Sequence, residues 1–169
     1  MSDSDASIYD PAFVADLFNE MAATYGVVNY ISSFGFCKRR RVRCVDLADI
    51  QPGHAVCDLM SGMGECWPRI THHMQGRGTL TGLDISPVMC ARARDQAERV
   101  PVPASVVQQD MLDNTLPSAS ADRVVSAFGL KTFSPAQQQV VAREVARILK
   151  PGGLFSFLEI SVPPAAILR

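Results

Sequence analysis

The sequence predicts a doubly wound, mostly parallel α/β sheet preceded by a helical N-terminal segment. Three observations carry that prediction. From residue 54 onward, short apolar runs alternate with helical patterns, the spacing that parallel strands joined by right-handed crossovers require. Gly62 and Gly64 lie where the first of these strands turns into a helix. Asp58, Asp84 and Asp110 fall at the ends of successive apolar runs, the rim at which such sheets bind ligands.

The elements follow in order. A first helix opens at Asp10-Pro11, an N-cap with proline in the first helical position; Phe13, Val14, Leu17, Phe18 and Met21 share one face, and Gly26 ends it. The apolar stretch 27–36 carries Tyr30. A further helix spans about 38–48 with Val42, Val45 and Leu47 inward, closed by Pro52-Gly53. Strands are expected at 54–59, 79–83, 104–107, 123–127 and 154–160. Helices are expected at 65–74, at 87–100 behind the Ser86-Pro87 cap, and from the capping box at Ser134 to Gln137 as far as Leu149. The segments divide into a helical cap or lid over 1–52 and a ligand-binding domain over 53–169.

Composition narrows the function. The chain has 169 residues, 47% of them hydrophobic and 20% charged, which is ordinary for one globular domain. Its 16 basic and 17 acidic side chains leave a net charge of -1, so no whole-chain attraction to nucleic acid or anionic membrane is expected. No apolar run reaches the roughly 18 residues that span a bilayer. The start, MSDSDASIYDP, is acidic rather than signal-like, and a cytoplasmic protein is expected. Five cysteines without CxxC spacing read as reduced thiols, and no metal site is expected. The basic run from Lys38 to Arg43 reads as a solvated helix face. His72 and His73 point about 100° apart on a helix and read as an exposed helix end. His54 reads as a strand-edge residue.

The segment VCDLMSGMGECW, residues 56–67, carries the chemistry. A dinucleotide loop needs a third glycine three residues after the second, and that place holds Trp67. Asp58, just before the loop, would repel a diphosphate but suits the ammonium of an amino-acid end. Asp84, 20 residues after Gly64, is placed to accept ribose hydroxyls, and Asp110 to accept from an adenine amino group. S-adenosylmethionine meets all three requirements.

The blocks LFNEMAATYGVVN, DLMSGMGE, LDIS, QQDML, SAFGLKTF and EVARILKPGGLFSFLEISVP extend this over roughly residues 15–163. In them the chain resembles class I S-adenosylmethionine-dependent methyltransferases, specifically the ubiquinone/menaquinone-biosynthesis C-methyltransferase branch. The resemblance implies a Rossmann-like methyltransferase fold in which Asp58, Gly62, Met63 and Gly64, flanked by Met60 and Ser61, cradle the methionine end. It places Asp84 with Ile85 at the ribose, Asp110 with Met111 at the adenine, and Ala127 and Phe128 on the floor. Met60, Met63, Gly26 and Lys131-Thr132 depart from the branch pattern. They favour a small aromatic or polyketide-like acceptor ahead of a respiratory quinone.

The expected reaction is in-line transfer of the sulfonium methyl to a small acceptor beneath a lid carrying Tyr25, Tyr30 and Phe34, with Tyr25 and Glu159 as candidate catalytic groups. Two alternatives stay open. One is a cyclase-like protein that binds the cofactor without transferring methyl; the other is an NAD-dependent oxidoreductase, which Trp67 and Asp58 disfavour. The resemblance also implies further strands beyond the fifth. A missing C-terminal segment or a second copy of the chain is therefore expected to cover the strand at 154–160.

Overall fold

The structure is a computed structural model that describes residues 8–21 and 36–160. Strands β1 (Ala55–Leu59), β2 (Thr79–Asp84), β3 (Ala104–Gln108), β4 (Ala121–Ala127) and β5 (Leu149–Leu158) form one sheet in the order β3-β2-β1-β4-β5. Every neighbouring pair is parallel. The helices are α1 (Pro11–Met21), α2 (Phe36–Leu47), α3 (Trp67–Met74), α4 (Pro87–Ala97) and α5 (Pro135–Ile148). The doubly wound sheet is therefore the observed architecture. Its strand order reverses at β1, where Asp58 stands opposite Gly82 of β2 on one side and Val125 of β4 on the other.

The caps form as their side chains dictate. Asp10 accepts from the amides of Ala12 at 2.8 Å and Phe13 at 3.3 Å, which starts α1. Ser86 accepts from Met89 N at 3.1 Å, and Ser134 exchanges both capping-box bonds with Gln137. Strand β5 begins earlier than expected, because the segment from Leu149 through Gly153 runs along β4 with a register shift between Ala121 and Arg123. Gly26 and nearly all of the 27–36 stretch, with Tyr25, Tyr30 and Phe34, lie outside the described residues.

Alternate residues of β1 face opposite sides of the sheet, and a core forms on each. Val56 and Leu80 meet Val45, Ile50, Trp67, Ile70 and Ala93 from the α2, α3 and α4 side. Cys57, Leu59, Leu83 and Val124 meet Val141, Val145 and Ile148 of α5. Helix α2 packs on β4 and β5, and Cys44, Val45, Ala48 and Ile50 join the core there. Cys44, Cys57, Cys66 and Cys90 are buried thiols, and burial pushes Cys57 up to about 12.

One expected core residue is misplaced. Leu47 is 64% exposed. The inward stripe of α2 runs instead through Cys44, Val45 and Ala48, and Leu47 lies about 100° round the helix from its centre. On β5, Leu154 and Phe155 are exposed, and the Phe155 ring meets Phe157 edge to face at 5.5 Å. No described helix is long and apolar enough to cross a membrane.

Candidate functional site

A cavity opens over the carboxyl ends of β1, β2 and β4, at the point where the strand order reverses. Its empty space, with the open mouth and the solvent in it counted, is about 860 Å³. Asp58, Met60, Ser61 and Gly62 line it from β1 and the following loop; Asp84 and Ile85 from β2; Asp110 and Met111 from beyond β3; Ala127 and Phe128 from the end of β4. Tyr9, Val14 and Phe18 add an apolar wall from the N-terminal segment. Gln137 Nε2 donates to Tyr9 O at 3.2 Å, and Ser86 Oγ donates to Asn19 Oδ1 at 2.6 Å, which holds α1 in place.

Asp84 is 8% exposed and is ordered from both sides. Gly62 N donates to its Oδ2 at 2.8 Å, and Ser86 N donates to Oδ1 at 2.9 Å. Burial, assisted by the charge of Glu65, pushes this carboxyl above the ordinary aspartate range; the backbone donors at Ser86 and Gly62 pull it back. Each oxygen keeps a lone pair for a further donor. Asp58 is more deeply enclosed. Its Oδ2 accepts from Trp67 Nε1 at 3.0 Å, and burial and then Glu65 raise it well above the usual range.

Trp67 fits because Gly82 makes room for it. A Cβ on Gly82 would lie 2.5 Å from Trp67 Cζ2, so the missing side chain in the middle of β2 is the slot that admits the indole. The bulky residue expected to exclude a dinucleotide is thus seated in the core and holds an acid at the cavity floor.

The loop is locked from the other side too. Met60 adopts φ +52°, and its side chain occupies the space that a Cβ on Gly129 would need, with Met60 Cβ 2.5 Å away. Met60 therefore lies along the wall beside Gly129, and the hollow at Gly62 stays open. Ser61 lines the cavity, but its Oγ is buried against Gly82 with no hydrogen-bond partner among the described residues. Asp110 accepts from Leu112 N at 2.9 Å, which fixes the turn after β3.

Several expected residues stand elsewhere. Met63 and Gly64 shape the loop without lining the cavity, and Met63 Sδ accepts from Arg92 at 3.4 Å. Glu159 does not line it either. Its carboxylate accepts from Lys131 N at 2.9 Å and Ile160 N at 2.8 Å, a backbone-holding task at the end of β5. His73 Nε2 pairs with Asp46 at 2.8 Å, which Arg69 also binds, while His72 is exposed.

Arg41 overturns the reading of the basic run as a wholly solvated face. Lys38, Arg39, Arg40 and Arg43 are exposed, but the Arg41 side chain is only 14% exposed and lines the cavity. It sits one turn before Cys44 and Val45 on the inward stripe of α2. The i, i+3/i+4, i+7 spacing of Arg41, Cys44/Val45 and Ala48 was the signal for it. Its guanidinium reaches Glu65 Oε1 at 3.4 Å and lies 5.1 Å from the Phe128 ring centroid. Glu65, also missed, lines the same wall and accepts from Met63 N at 3.0 Å through Oε2.

A doubly wound parallel sheet with a glycine loop after β1, an acid ending β2 and a cavity at the reversal point is a Rossmann-like arrangement, and with Trp67 where a dinucleotide loop has its third glycine it is of the methyltransferase class. Within it, the chain belongs to the ubiE/COQ5 methyltransferase family, whose model matches residues 5–169. It is 30% identical over 158 residues to a ubiquinone/menaquinone biosynthesis C-methyltransferase of Shewanella frigidimarina, an alignment covering 92% of this chain and 62% of that protein. It is 33% identical over 148 residues to a demethylmenaquinone methyltransferase of Thermus thermophilus, covering 88% of this chain and 66% of the relative. The chain thus spans somewhat under two thirds of the length of these relatives. A solved DhpI-SAM-HEP complex superposes with a TM-score of 0.66 at 25% identity, covering 90% of this chain and 67% of that one.

Proposed function

We propose that the chain binds S-adenosylmethionine in this cavity and directs its methyl group to carbon of a small aromatic or quinone-like acceptor. The observation that carries the reading is Asp84, a buried carboxyl ending β2, lining the cavity with both oxygens ordered by backbone amides. Such a group binds a pair of vicinal hydroxyls at low entropic cost. The residues present suit the cofactor: Asp84 for the ribose, Asp110 and Met111 for the adenine, and Ser61, Gly62 and Asp58 for the amino-acid end. When bound, the sulfonium centre supplies a methyl group already activated for attack. The chain's part is to orient the two reactants and keep water away. Phe18, Met111, Leu112, Phe128 and Phe133 give the apolar walls that a flat ring requires. The acceptor class also draws on the names of the relatives. All three histidines of the chain lie outside the lining, so an acceptor activated by its own ring hydroxyl fits better than one needing an imidazole base.

Calorimetric titration of the chain with S-adenosylhomocysteine and with NAD tests the reading. Only the first is expected to bind, and Asp84→Ala is expected to weaken it at least about tenfold, the worth of one charged hydrogen-bonding group. Undiminished affinity in Asp84→Ala removes the ribose assignment. Label from methyl-labelled cofactor that never reaches a hydroquinone or naphthol acceptor removes the transferase assignment.

A further inference from the structure

Among the described residues, the cavity lining holds four carboxyls, Asp58, Glu65, Asp84 and Asp110, against one guanidinium, that of Arg41. The amino-acid end of the cofactor carries an ammonium and a carboxylate. The acids serve the first and repel the second. We propose that Arg41 is the group that binds the cofactor carboxylate, an assignment that rests on the cofactor reading above.

The geometry supports it in three ways. Glu65 places the arginine beside the glycine loop. The position of a Cβ on Gly62 lies 2.8 Å from Glu65 Oε2, while Oε1 of the same carboxylate meets Arg41. The guanidinium is also underused. It has five N–H donors and makes one hydrogen bond among the described residues, at 3.4 Å, long for a charge-assisted contact. Finally, its orientation is set in advance. The inward stripe of α2 aims it, and the Phe128 ring supports one side, so little side-chain freedom remains to be lost on binding. A planar fork held in this way suits a carboxylate. Binding would exchange or share the Glu65 contact and would tie α2 to the ligand.

The test compares two ligands that differ only in that carboxylate. The chain is titrated calorimetrically with S-adenosylhomocysteine and with its decarboxylated analogue. Without Arg41, the acid-rich wall should favour the decarboxylated, more cationic ligand. With it, the wild type is expected to favour the carboxylated ligand about tenfold or more, which is about 1.4 kcal/mol. Arg41→Met is expected to lose that preference, its affinity falling for S-adenosylhomocysteine and not for the decarboxylated analogue, and Arg41→Lys to keep part of it. The wild-type ratio and the lysine variant decide the matter even if Arg41→Met does not fold. Equal wild-type affinities overturn the assignment. So does a preference retained in Arg41→Met, or an equal loss for both ligands, the mark of a clamp that only holds α2 to the loop. A wild type that binds neither ligand overturns the cofactor reading itself, which is a different result.

Discussion

Trp67 and Ile148 are both sealed against the central sheet, from opposite faces, at 0% and 1% exposure. Ile148 is one of a stripe of aliphatic residues on α5, and its surroundings, among them Val124, Leu59 and Val145, are apolar. Trp67 is packed as tightly, but its indole N–H reaches Asp58 in the cavity floor, and its ring fills the slot left by Gly82. One face of the sheet is an ordinary core. The other is a core whose packing also sets the position and charge state of a binding-site acid. Changes of similar size on the two faces should therefore differ in what they damage.

The strongest test of that contrast is Trp67→Ala. It should cost about 3–5 kcal/mol as a large-to-small core change. It should also weaken S-adenosylhomocysteine binding, because Asp58 is left buried without its donor. Gly82→Ala should move both quantities in the same direction by displacing the indole. Chemical denaturation and calorimetry on each variant measure the pair, and unaltered affinity in a folded Trp67→Ala would erase the distinction between the faces. A milder change on the opposite face, Ile148→Val, should cost about 0.5–1.5 kcal/mol and leave affinity at the wild-type value.

The smallest effect separates the regions by pH. Glu144 on α5 bonds Arg147 at 2.6 Å and Asn114 at 2.9 Å, and the arginine contact first of all holds its carboxyl below the usual glutamate range. Its contribution is present above the ordinary value near 4.3 and is lost as pH falls through the lowered one. The stability gap between wild type and Glu144→Gln should be below about 1 kcal/mol for a pair so near the surface, and should close on acidification beneath about pH 4. Asp84 has the opposite sign. Its raised carboxyl favours the fold below the ordinary aspartate value and loses that contribution as pH rises through the raised one. Denaturant titrations from pH 3 to 7 should show the gap closing at the acid end. A gap that widens there refutes the lowered Glu144.

The sheet was legible in the sequence because each strand is a short apolar run bracketed by turn residues. Three helix starts were equally clear, since Asp10, Ser86 and Ser134 each carry an oxygen that satisfies an orphan amide. Asp58, Asp84 and Asp110 could be read as one group because strand ends in a parallel sheet share a rim. The spacing of Arg41 with Cys44, Val45 and Ala48 could turn that arginine inward, but its meeting with Glu65 could not be read, since it depends on how α2 rotates against β4 and β5 rather than on any motif. The same rotation exposes Leu47. Gly82 left a fainter trace, a glycine inside a strand pattern, which signals close approach but does not say by what. Glu159 was misjudged for a related reason: its position at a strand end matched the rim, but two backbone amides claim its oxygens.

The side chain of Met60 occupies the place of the one that Gly129 lacks, which couples the residue choices at two distant points of the chain. Because the Met60 Cβ itself stands 2.5 Å from the place of a Cβ on Gly129, only glycine at 60 leaves a hole that a methyl at 129 could fill, whereas enlarging 129 alone drives a collision. Within this fold the two positions should behave as a single volume shared between two loops, so that a double exchange is tolerated where the second half by itself is not.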